Sequence, residues 1–218
     1  TPVKAGGEYF PGLMVQRSLK FLEEHREKPF FLYVPFNIPH YPEQALKEHE
    51  ELHKEILDPA RRSYAAMVST TDHYIGQIID KLDALKLREK TIVIFMSDNG
   101  HSEETGLRIK AKHHLSGYPQ GHLYGASGGG NTGKWIGHKG QFLEGGIRVP
   151  AIISYPAKLP QGEVREQMIT AMDWYPTVLD LCSVEPGPDW PKLDGHNLLP
   201  LIDSPAAESN YKSVLYFA

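Results

Sequence analysis

Cysteine is almost missing from this sequence. The single one, Cys182, excludes an intrachain disulfide framework, so apolar burial and hydrogen bonds must hold the fold. One cysteine suits a cytosolic or a bacterial periplasmic protein and does not choose between them. Long apolar runs are missing too. None approaches the roughly 18 residues of a bilayer span, and no membrane helix is expected. There is no excess of positive charge: 27 acidic against 23 basic residues leave a formal net charge of −4. That balance offers no bulk attraction for nucleic acid or an anionic membrane. A chain of this charge that handles an anion must gather its cations locally. Internal repeats and low-complexity tracts are also lacking. What is there, 218 residues with 40% hydrophobic and 23% charged, can bury a sizeable core and reads as one domain over 1–218.

The pattern along the chain is α/β. Leu13, Met14, Leu19, Phe21 and Leu22 among charges predict a helix over 13–27, closed by Pro29. Phe30 to Phe36 is an unbroken apolar run, suited to a buried strand of a parallel sheet. Residues 37–42 hold two prolines and read as an extended loop. From Pro59, apolar residues recur at helical spacing through Leu87, the clearest amphipathic helix in the chain. Thr91 to Met96 is a second β-branched apolar run, so the helix between the two runs forms a βαβ crossover. Residues 100–146 hold 13 of the 20 glycines and five of the 11 histidines, a long loop of the kind that carries function. Val149 to Tyr155 is a third strand, Asp173 to Leu181 a helix, 183–213 a Pro- and Gly-rich connection, and a last strand starts at Val214. The expected architecture is a mostly parallel sheet flanked by helices. Thr1-Pro2 at one end and an unfinished strand at the other make both ends look cut.

In open α/β sheets, ligands bind beyond the carboxyl ends of strands. Asp98 and Asn99 follow the second strand directly. A carboxylate and an amide carbonyl are hard oxygen donors, matched to Ca²⁺ or Mg²⁺, although Asp-Asn-Gly is also ordinary turn vocabulary. His40 follows the first apolar run. An imidazole there can donate to an anionic oxygen or act as general acid, or simply pack the loop. Lys139 stands before Gly140 in Gly137-His138-Lys139-Gly140, where backbone and ammonium can approach an anion closely. Glu144 and Arg148 can clamp the turn that follows.

The ordered string is more specific than its parts. Lys139-Gly140-x-x-x-Glu144-Gly145-Gly146-x-Arg148-x-Pro150 resembles the hallmark of the type I sulfatases of the alkaline phosphatase superfamily. So do Asp72-x-x-x-Gly76 ahead of Ser97-Asp98-Asn99-Gly100, and Phe30-Phe31-Leu32-Tyr33 leading to Pro39-His40-x-Pro42. Asp173-x-x-Pro176-Thr177 and Asp194-Gly195-x-x-Leu198-x-Pro200-Leu201 match two more blocks, all in family order. The resemblance implies an arylsulfatase-like sulfuric ester hydrolase acting on an organic sulfate, a sulfated carbohydrate foremost. It implies Asp98 and Asn99 as Ca²⁺ ligands, with Mg²⁺ the other candidate ion. Lys139 would contact the sulfate, and His40 would hydrogen-bond it or assist the leaving alcohol. His138 and His101 stand next as substrate-binding candidates.

The sequence also departs from the family pattern. The family's nucleophile is a formylglycine made within Cys/Ser-x-Pro/Ala-x-Arg, and Cys182-Ser183-Val184-Glu185-Pro186 lacks the arginine. Cys182 reads better as a small buried apolar residue. The formylglycine, the early paired aspartates and the early Lys and His would belong to a portion ahead of Thr1. On this reading the chain alone is inactive and binds Ca²⁺ weakly, since that ion takes six to eight oxygens. Two other readings stand beside it: a phosphatase or phosphodiesterase of the same superfamily, and a sulfatase-like binding protein. The cations His113, His114, His122, Lys110, Lys112 and Lys134 make the loop either a substrate-recognition insert or a solvated excursion, and Trp135 either lines the pocket or packs. The family habit implies export to the periplasm or beyond.

Overall fold

The computed structural model describes residues 8–40, 44–102, 107–108, 110, 112, 120–121, 123–125 and 130–211. Two compact units make up the chain, 1–153 and 154–218.

In the first unit, helix α1 spans Phe10–His25 and buries Pro11, Val15, Ser18 and Leu22, one stripe at helical spacing. It starts earlier than the apolar pattern suggests because Pro11 is pre-set for a first turn. A six-residue helix α2, Lys47–Leu52, has no buried residue and no apolar period, so nothing in the sequence announces it. Polar tethers hold it to the next helix: His49 Nδ1 lies 2.9 Å from Thr70 Oγ1, and His53 Nε2 2.8 Å from Ser69 Oγ. Helix α3, Pro59–Ala84, opens with the Asp58 carboxylate accepting from Arg61 N at 2.7 Å, an N-cap in front of a proline. It ends where Lys86 takes a left-handed φ of 56°. Leu22, Leu82 and Leu87 form the buried centre, with Phe30, Leu32, Ile78, Ile79 and Val93 packed on it. Across the surface Lys81 also pairs with Glu23. Exposed pairs of this kind are screened by solvent and add little, so the leucines dominate the α1–α3 contact.

Strand β1, Val93–Met96, pairs with β4, Ala151–Ser154. Inside the long loop, β2 (Leu107–Arg108) and β3 (Leu123–Gly125) form a separate antiparallel pair, with Leu107 opposite Gly125. A short helix α4 follows at Glu144–Ile147. The architecture is α/β, with less sheet among the described residues than the apolar runs suggest. The difference lies at Phe30–Phe36. It is extended, but no strand pairs with it among the described residues. Its residues alternate rather than being buried throughout: Phe30 and Leu32 pack on the core, while Phe31 is 85% and Tyr33 75% exposed. A continuous apolar run does not reveal whether one face or both will be covered.

The second unit contains α5, Trp174–Leu181, entered through a 3₁₀ turn at Ala171–Asp173, and α6, Leu199–Asp203. Helix α6 lies in the stretch expected to be connection only. Arg165 fastens it by donating to the Leu201 and Ile202 carbonyls at 2.9 and 2.6 Å. The fully buried Asp173 carboxylate accepts from Thr170 N, His196 N and Tyr211 Oη at 2.6, 2.7 and 2.6 Å. Thr177 Oγ1 donates to Asp173 O at 2.6 Å and receives Leu198 N at 2.8 Å. The two blocks of this unit are thus partners in one hydrogen-bond network. Cys182 is exposed at the C-cap of α5, not buried. Thr177 and Leu181, four apart, define the buried stripe, and the next position points away from it. The strand expected from Val214 lies outside the described residues.

Candidate active site

His40 stands at the end of a loop pinned by the buried Ile38, whose peptide to Pro39 is cis; the His40 amide donates to Asn37 O at 3.2 Å. Lys139 arrives from the far end of the glycine-rich loop. Its amide donates to His101 O at 2.7 Å, and the Gly100 amide donates to Gly146 O at 2.9 Å. These two bonds lay the Lys139 segment against the Asp98-Asn99-Gly100 turn. Glycine is required there: a Cβ on Gly100 would stand 1.9 Å from Gly145 O, and one on Gly145 2.1 Å from Gly137 O.

Lys139 Nζ lies 3.2 Å from His40 Nε2. An ammonium only donates, so the ring nitrogen accepts. Among the described residues no carboxylate pairs with Lys139. Arg148, by contrast, is fully engaged. It meets Glu144 at 2.9 Å, four residues away on α4, and its guanidinium lies 4.1 Å from the centre of the Trp135 ring, with Lys134 Nζ at 4.8 Å. Glu144 and Arg148 therefore clamp the turn, and the Trp135 ring is in contact with two cations. Lys139 is left facing an imidazole rather than a counter-ion, an arrangement that can take up an anion.

Asp98 is exposed at the end of β1, and Ser97 Oγ donates to Asn99 O at 2.9 Å beside it. Among the described residues neither the Asp98 carboxylate nor the Asn99 amide carries a hydrogen bond or ion pair. Their donor type fits a hard divalent cation. Their number does not complete a site, since no group of three or more metal-type side chains occurs among the described residues. His138 Nδ1 lies 2.9 Å from Lys139 O, next to the pair. The His101 ring packs over Gly130, whose Cβ position is 3.0 Å from His101 Nδ1 and 3.2 Å from Tyr64 Oη. Tyr64 belongs to the helical stripe of α3, and nothing in its spacing pointed to this neighbourhood. Lys110 and Lys112 are exposed, and His113, His114 and His122 lie outside the described residues.

The profile of the Sulfatase family matches residues 2–184. The chain belongs to the sulfatase family. Mouse steryl-sulfatase is 31% identical over 209 residues, covering 94% of this chain and 29% of its own length. N-acetylgalactosamine-6-sulfatase from dog is 30% identical over 201 residues, covering 91% and 33%. Among solved structures, Ps i-CgsB in complex with k-i-k-neocarrahexaose superposes with a TM-score of 0.72 at 29% identity, covering 89% of this chain and 38% of that one. This sulfatase chain spans about a third of the length of the curated relatives it matches. Among its described residues no helix is long and apolar enough to cross a membrane.

Proposed function

We propose that the protein hydrolyses sulfate esters of a carbohydrate, with Lys139 and His40 facing the sulfate group. The observation that carries this reading is the 3.2 Å approach of Lys139 Nζ to His40 Nε2, two residues 99 positions apart, beside the Asp98-Asn99 turn. A relative named N-acetylgalactosamine-6-sulfatase and a neighbour solved in complex with k-i-k-neocarrahexaose support the substrate class.

Sulfate transfer asks the protein mainly to position the group and to offset negative charge on its oxygens and on the leaving oxygen. Lys139, without a carboxylate partner, supplies a fixed positive charge to the sulfuryl oxygens. His40 Nε2, which accepts from Lys139 before substrate binds, takes up a proton from solvent once Lys139 turns to the sulfate and delivers it to the departing alkoxide. His138 and His101 flank the pair as further donors to substrate. Asp98 and Asn99 would hold Ca²⁺ or Mg²⁺ as two of its oxygen ligands. When bound, that ion supplies Lewis-acid charge at the sulfate. The nucleophile is the family's formylglycine, and Cys182 is not its source, because its context lacks the arginine and proline spacing of that motif. Export, as in the family at large, belongs to the same proposal.

The test is turnover by the whole protein on 4-nitrophenyl sulfate and on a sulfated galactoside. Lys139→Ala is expected to lower kcat/KM by about 10²–10³-fold on both, the loss of one preorganised charge. His40→Ala should harm the galactoside far more than the aryl sulfate, whose leaving group needs no proton. Near-normal rates for Lys139→Ala would remove it from the site. A preference for the matching phosphate ester would replace sulfate with phosphoryl transfer.

A further inference from the structure

A groove of about 290 Å³ opens between the N-terminus of α1, the side of α3 and the segment leading into α2. It shares no residue with the His40–Lys139 pair. Leu13, Leu46 and the rings of Tyr9 and Tyr74 line it, with Gly12 between them and Glu8 and Gln16 as its other polar members.

Tyr74 is the unusual member. It is only 8% exposed, yet among the described residues its hydroxyl has no hydrogen-bond partner. The hydroxyl reaches the groove at Gly12, 2.8 Å from where a Cβ on that glycine would sit. A buried hydroxyl without a partner costs free energy until something supplies one. Burial, with the nearby Glu48 charge adding to it, pushes the Tyr74 hydroxyl above its ordinary value, so it stays a donor. A second set of donors stands beside it. The Tyr9 side chain does not cap α1, since its hydroxyl donates to Gln44 O, and the first intrahelical bond is Leu13 N to Tyr9 O at 3.0 Å. The Gly12 amide, one residue too early for an intrahelical acceptor, is therefore unsatisfied within the helix.

Two kinds of donor call for an acceptor oxygen, and the apolar walls call for a C–H surface around it. The Glu8 carboxylate disfavours an anion and offers an acceptor for a ligand's own hydroxyl. A pyranose combines these features: hydroxyls that accept and donate, and C–H faces that lie on tyrosine rings. The volume is at the small end for ligand sites, matched to one ring. We propose that this groove binds a neutral sugar residue, as a site separate from the sulfate pair.

The experiment is titration of the whole protein with methyl β-D-galactopyranoside, read by isothermal calorimetry and by ¹H–¹⁵N shifts of Gly12 and Leu13. Saturable, weak binding is expected. Tyr74→Phe keeps the ring and should weaken it roughly tenfold, the scale of one hydrogen bond. Gly12→Ala, whose Cβ intrudes on the hydroxyl, should do the same. Lys139→Ala should leave the affinity unchanged, and Tyr74→Phe should leave turnover of 4-nitrophenyl sulfate unchanged, which separates this site from the catalytic reading. Galactose 6-sulfate, tested in the Lys139→Ala background, should bind more weakly than the neutral sugar. No saturable binding, equal binding by Tyr74→Phe, or tighter binding of the sulfated sugar in that background overturns the proposal.

Discussion

Gly100 and Gly76 are both glycines in family-type blocks, and their surroundings differ completely. A Cβ on Gly100 would collide with the backbone of Gly145, whereas one on Gly76, inside α3, meets nothing within 4 Å. Gly100→Ala is therefore expected to destabilise the chain by about 1–3 kcal/mol, as overpacking does. It should also displace Asp98 and Asn99 from the Lys139 segment. Gly76→Ala should stabilise by about 0.5–1 kcal/mol, because alanine loses less freedom in a helix. Urea unfolding of the two variants checks this, and a neutral Gly100→Ala would show that the close approach does not hold the turn. The sequence marked Gly145-Gly146 as part of a string, and it marked Gly100 as the end of another. Spacing could not reveal that the two strings touch, because that contact is made by backbone across the glycine-rich loop. The same limit applies to Lys139 and His40: each was legible as a candidate, and their 3.2 Å approach was not.

At the scale of elements, length decided what could be read. Helix α3, at 26 residues, repeats its apolar stripe often enough to declare itself, and β1 follows a β-branched run. Helices α2 and α6, at six and five residues, are too short to show a period and are held by polar bonds from elsewhere. The Asp173 network is the clearest case. It joins the 3₁₀ turn, the His196 segment and Tyr211 through one carboxylate. Removing the Tyr211 hydroxyl leaves that buried acceptor one donor short, so Tyr211→Phe is expected to cost about 1–2 kcal/mol near neutral pH. Its pH dependence follows from the hydroxyl itself. Burial first, then the bond to Asp173, push Tyr211 above its ordinary 10.0. The folded chain thus keeps this proton to higher pH than the unfolded one. The contribution is complete below pH 10 and is lost as pH rises through the folded value. Between pH 9 and 11 the unfolding free energy of the wild type should fall more steeply than that of Tyr211→Phe, measured by urea melts. Parallel curves would mean that the hydroxyl titrates alike in both states.

Across the whole molecule the apolar residues are unevenly covered. One side of the Phe30–Phe36 run rests on Leu22, Leu82 and Leu87, while Phe31 and Tyr33 on the other side face outward. Phe95 of β1 and Ile152 of β4 are 40% and 59% exposed, and Ile136 and Phe142, on either side of Lys139, 79% and 77%. Scattered single apolar residues on a surface are unremarkable; two aromatics on one face of an extended segment that pairs with no strand among the described residues are not, since such a surface is a template for association. The family relatives are about three times as long as this chain, which leaves ample sequence in them to cover such a face. The 218 residues expressed alone should therefore bind the dye ANS and self-associate with rising concentration, while the whole protein does neither. Phe31→Lys places a charge on the outward side without touching the core side, so it should lower both dye binding and association of the isolated chain without lowering its helix content. Equal dye binding by the isolated chain and the whole protein would mean that this face is solvent surface in both, and that its phenylalanine and tyrosine are held for something other than packing.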